Sequence, residues 1–132
     1  MALRLARSGD PRDTGLPSKL VIEPDYDGWW QTVRDDFADK RGYHAAWGFD
    51  AERQQIVVLG REPLGAWFEL AARGWQGDHI VFSGEMHSGL STRPMRWTIH
   101  RAANKLVQTF ENEVDGAWGT EAVERCQPWR NT

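Results

Sequence analysis

A chain of 132 residues with 16 Lys and Arg against 19 Asp and Glu has the size of one domain, and its formal net charge of −3 lacks the basic excess that phosphate contacts require, so neither a second domain nor a nucleic-acid partner is expected. A single cysteine, Cys126, cannot form an internal disulfide or a thiolate zinc site, which favours a reducing, cytoplasmic setting. No run approaches the ~18 apolar residues of a membrane helix, and the apolar stretch at the N-terminus is too short for a signal peptide, so a soluble protein with no membrane partner is expected.

Residues 1–18 carry Arg, Asp, Gly and Pro without sustained periodicity and read as a mobile N-terminal tail ahead of one domain over 19–132. Leu20, Val21 and Ile22 form a short strand that stops at Pro24, and residues 25–28 supply a turn. In 29–37 Trp29, Gln31, Val33, Asp35 and Phe37 share one face. A helical spacing of Trp29, Trp30, Val33 and Phe37 competes with that reading, and the strand is preferred. Over 43–49 Tyr43, Ala45, Trp47 and Phe49 alternate with His44, Ala46 and Gly48. A polar connection at 50–53 leads to the β-branched run 55–59, and Pro63 and Gly65 mark the next turn.

Four consecutive strands follow, at 66–73, 79–87, 93–101 and 106–113, each with the period of two expected of a half-buried strand. Their apolar faces carry Ala66, Phe68, Leu70 and Ala72, then Ile80, Phe82, Gly84 and Met86, then Met95, Trp97 and Ile99. Asp115-Gly116 is a further turn, and a strand over 118–125 ends the series. About eight strands joined by short connections must pair antiparallel with their chain neighbours. The expected fold is all-β, an up-and-down meander closed into a lipocalin-like barrel, because a Greek key needs a longer crossing connection. A barrel of this size can hold one small ligand.

The segment 74–85, Gly-Trp-Gln-Gly-Asp-His-Ile-Val-Phe-Ser-Gly-Glu, carries a family likeness. So do Gly48-Phe49-Asp50, Arg96-Trp97-Thr98, Phe110-Glu111 and Asp115-Gly116-Ala117-Trp118. Together, over roughly Gly42 to Cys126, they resemble the small bacterial calycin-like barrels catalogued as domain of unknown function 1579. That resemblance implies an up-and-down barrel with a central cavity and brings no agreed ligand or reaction. Family members open with a Gly-Thr-Trp-like strand and a long hairpin, whereas only residues 19–41 precede the matching region here. The N-terminal wall is therefore expected to be short, leaving strand edges to be covered by the tail or by a second copy in a homodimer through 19–37.

Eight tryptophans are the compositional oddity. Tyr43, Trp47, Phe68, Phe82, Met86, Met95, Trp97 and Phe110 fall on apolar faces and would point into a barrel, either as its filled core or as the lining of a site for an apolar or aromatic small molecule. Trp29, Trp30, Trp67, Trp75 and Trp118 fall on the other face or in turns. No nucleophile elbow, phosphate loop, metalloprotease or dinucleotide motif is present, and no cofactor is expected. His79 and His87 end one strand about 26 Å apart, too far to share a metal, and no metal site is expected. Glu85 and His87 share a face, with Arg96 or Thr98 facing them from the next strand, and His100 reads beside Glu69 and Glu111; these are either solvated charge pairs or an acid and base. Three functions are thus open: a small-molecule-binding barrel, a cofactor-free isomerase or cyclase with a Glu/His pair inside the barrel, and an assembly subunit with a filled barrel. Cys126 reads as an inert buried thiol.

Overall fold

The computed structural model describes residues 2–7, 18–25, 30–37 and 41–128. Among these residues ten strands follow one another: β1 (Ala2–Arg7), β2 (Ser18–Asp25), β3 (Trp30–Phe37), β4 (Arg41–Asp50), β5 (Gln55–Arg61), β6 (Trp67–Ala72), β7 (His79–Ser88), β8 (Ser91–Ala102), β9 (Lys105–Val114) and β10 (Ala117–Pro128). Each pairs antiparallel with its neighbour in the chain, and β1 also pairs with β10, so the meander closes into a barrel. No helix among the described residues is long and apolar enough to cross a membrane.

Two expectations are corrected here. Residues 2–7 are not tail but the closing strand, with Leu5 opposite Cys126 on one side and Ser18 on the other. The segment Ala2-Leu3-Arg4-Leu5-Ala6-Arg7 does alternate, but six residues are too few for periodicity alone to announce a strand. The N-terminal wall is consequently complete, and the β2–β3 hairpin is laddered on both sides, so the open edges that motivated pairing through 19–37 are filled within one chain. The helical alternative for 29–39 is also removed, since Trp30–Phe37 pairs with both β2 and β4; Trp29 lies outside the described residues.

Local chemistry explains the meander. At Asp115-Gly116 both residues have positive φ, 52° and 79°, the requirement of a two-residue hairpin turn whose twist matches its strands. Asp50 caps the β4–β5 turn, its Oδ1 accepting from the backbone N–H groups of Glu52 and Arg53 at 3.1 and 3.2 Å. Along β6, Phe68, Leu70 and Ala72 are buried and Trp67 and Glu69 exposed, and along β7 Ile80 and Phe82 are buried while Val81 and Ser83 face out. Two glycines allow close packing inside. A Cβ at Gly84 would lie 2.0 Å from the carbonyl oxygen of Glu69, and one at Gly60 would lie 2.1 Å from the Phe68 ring.

The core follows the period of two. Val58, Phe68, Leu70, Ile80, Phe82, Met95, Trp97 and Ile99 are all at or below 3% exposure and form one cluster with Leu20, Val33 and Cys126. Phe49, on the apolar side of β4 by sequence, is 59% exposed because it sits at the strand end beyond the packed cluster.

Candidate functional site

The lumen has two halves. One is a solid aromatic plug centred on Trp97, whose ring lies 5.4 Å from Trp47, 5.6 Å from Phe82, 5.4 Å from Phe110 and 5.9 Å from Tyr43. Most of these pairs are edge-to-face or tilted, the arrangements ring quadrupoles favour. The other half is a cup of about 950 Å³ that opens between the β5–β6 turn, at Pro63 and Leu64, and the β7–β8 turn, at Ser88 and Ser91.

Of the eight residues expected to bind a ligand, the structure brings Tyr43, Met86, Met95 and Phe110 to the cup. Trp47, Phe68, Phe82 and Trp97 belong to the packed cluster beneath it. The aromatic faces therefore divide, packing one end of the barrel and lining an open cup at the other. Taper and side-chain volume decide the division: four large rings fill one end, whereas the other is lined at Gly42, Ala66 and Ala122 by residues too small to reach the axis.

The polar lining was not singled out from sequence. Asp35, Asn112 and Glu124 are buried, at 1%, 9% and 4% exposure, and all three line the cup. Each stands two residues from an inward apolar neighbour, namely Val33, Phe110 and Cys126. Periodicity therefore contained the signal, but polarity argued against burial. Deeper in, the Tyr43 hydroxyl donates to Gln108 Oε1 at 3.3 Å, and Gln108 Nε2 donates to Cys126 Sγ at 3.6 Å. Burial, then the nearby charges of Glu124 and Asp35, push the Tyr43 phenol well above its usual range, so it stays a neutral donor. Burial likewise pushes the Cys126 thiol up to about 12, which fits an inert rather than a nucleophilic cysteine.

Two register shifts shape the wall. Between Arg34 and Asp36 on β3 the partner β4 carries one extra residue, and between Thr120 and Ala122 β10 carries one. Bulges of this kind re-aim side chains. The first sets Gly42 and Tyr43, and the second sets Glu121 and Ala122, adjacent residues that regular alternation would send to opposite faces, in the cup lining. At the rim, burial and then the charge of Glu121 raise the Glu62 carboxyl above its ordinary range.

The outer face answers the Glu/His question. Glu69, Glu85 and His87 point outward, with His87 Nε2 3.7 Å from Glu69 Oε1 and 3.8 Å from Glu85 Oε2. The ring of His87 stacks on Trp67 at 3.9 Å, and its Nδ1 lies 3.1 Å from Thr92 Oγ1. An acid–base pair of these residues inside the barrel is thus corrected, because the register that buries Phe68, Phe82 and Met86 sends them outside. Arg96 does not face Glu85 either; it pairs with Glu111 at 3.1 Å and lies 3.8 Å over Trp118. His100 stacks on His79 at 5.2 Å rather than joining Glu69. Cross-strand pairing also gathers two sets of potential metal-ligand atoms within 4.8 Å, Asp78, His79 and His100 in one and Glu69, Glu85 and His87 in the other, which spacing along a single strand does not reveal. Both sets lie on the outer surface, away from the cup. No family model matches the chain, and no curated protein matches it.

Proposed function

We propose that this protein is a calycin-like binding barrel that holds an apolar or aromatic small molecule in the cup. The observation that carries this reading is a cup of about 950 Å³, floored by Tyr43, Phe110, Met86 and Met95, above the packed aromatic cluster. That volume lies in the range of small-molecule sites, which pair an apolar lining with a few polar groups. The filled-barrel assembly reading accounts for the plug but leaves the cup without a purpose. The isomerase reading has lost its Glu/His pair to the outer surface.

The test is titration of the methyl-labelled protein with a set of small aromatic molecules, read by nuclear magnetic resonance. Saturable shifts at the Met86 and Met95 methyl groups are expected, and they should vanish in Ala66→Phe, where a ring added at a lining position fills the space. Failure of every compound to move either methyl group would remove the proposal.

A further inference from the structure

The cup is more specific than an apolar hollow. Its described lining contains four carboxylates, Asp35, Glu62, Glu121 and Glu124, against one guanidinium, that of Arg93. The two rim acids, Glu62 and Glu121, are costly to hold together beside a partly desolvated space, since burial disfavours the charged form and like charges disfavour one another. Asp35 and Glu124 are engaged by other groups, so the acids open to an occupant are the rim pair. Glu62 and Glu121 stand at the rim, where the β10 bulge sets Glu121 in the lining beside Ala122. Burial, and then the charge of Glu121 beside it, raises the proton affinity of Glu62.

The neutral groups agree in sign. Asn112, 9% exposed, lines the cup, and its Oδ1 accepts no hydrogen bond among the described residues. The Tyr43 hydroxyl has committed its proton to Gln108. The wall thus offers acceptors at Glu62, Glu121 and Asn112 Oδ1 beside the rings of Tyr43 and Phe110, and ring faces attract cations. Arg93 and Glu121 are both exposed near the mouth, where water screens their charges alike, which leaves the half-buried Glu62 as the least screened charge of the rim.

We propose that the ligand class of this cup is an organic cation, an aromatic or aliphatic body carrying a protonated amine, with the body on Phe110, Met86 and Met95 and the ammonium toward Glu62, Glu121 and Asn112. This rests on the binding-barrel reading above and adds the charge of the occupant.

Three naphthalenes of one shape separate the two claims: 1-naphthylmethylamine, 1-naphthylmethanol and 1-naphthylacetate, titrated by calorimetry and by the Met86 and Met95 methyl signals. The amine should bind about tenfold or more tighter than the alcohol and the acetate most weakly, and the amine's advantage should shrink as salt rises. The double variant Glu62→Gln, Glu121→Gln should lower amine affinity about tenfold, lower alcohol affinity by no more than about twofold and retain the wild-type melting temperature or exceed it. Equal binding of amine and alcohol, or preference for the acetate, overturns the cation inference while the binding-barrel reading stands. Binding by none of the three, with both methyl signals unmoved, overturns the two together.

Discussion

Trp97→Ala tests the central geometric claim, that one ring holds the plug together. Trp97 is 1% exposed and contacts four other rings, so truncation removes most of an aromatic side chain's buried area, roughly 150–250 Å². At ~25 cal/mol per Å² that is about 5 kcal/mol of lost transfer free energy. One contribution runs the other way. Trp97 Nε1 is buried without an acceptor among the described residues, and deleting that donor returns about 1–2 kcal/mol of its desolvation cost. The void also opens toward the cup through Phe110 and Tyr43, so water can enter and relieve part of the cavity cost. The expected loss is about 3–4 kcal/mol, measured by urea unfolding followed by circular dichroism and reported as a midpoint shift at unchanged slope. Trp67→Ala is the matched control, because Trp67 is 46% exposed on the outer wall and should cost less than about 1.5 kcal/mol. A loss below about 1 kcal/mol at Trp97, or equal losses at the two sites, would refute the inward register of β8.

Three further outcomes follow from the same packing. Gly84→Ala should cost at least ~3 kcal/mol or abolish folding, since its methyl group would meet the β6 backbone at Glu69 rather than a movable side chain; a wild-type denaturation midpoint would show that the strands are not packed as described. Cys126 should resist an aromatic disulfide reagent at pH 8 in the folded protein and react promptly in denaturant, because a thiol at about 12 is almost wholly protonated there; fast labelling of native protein would contradict its burial. For Glu62, the folded state holds the proton more tightly than the unfolded chain, so its contribution to stability is present below the ordinary carboxylate range and is lost as pH rises through the raised value. Glu62→Gln should accordingly melt higher than wild type at pH 7 and equal to it near pH 4, and the reverse order across that window would count against a strained rim carboxylate.

The turn positions and the dry faces of β6 to β8 were legible without tertiary information, because alternation of apolar and polar residues and dipeptides such as Asp115-Gly116 are local properties. Pairing between chain neighbours followed from the short connections, and with it the burial of Phe68, Phe82 and Trp97. The strand that completes the closure was not legible: β1 is six residues long, and its worth lies in a ladder to β10 at the far end of the chain, a contact that no local pattern encodes. The cup was hidden for a related reason. Asp35, Asn112 and Glu124 sit at inward positions of three different strands, and only the closed circumference brings them around one space. The bulge at Glu121 breaks the period of two on which sequence reasoning depends, and whether large rings fill a lumen or leave it half open is set by the volumes of facing residues, which become neighbours only when the barrel closes.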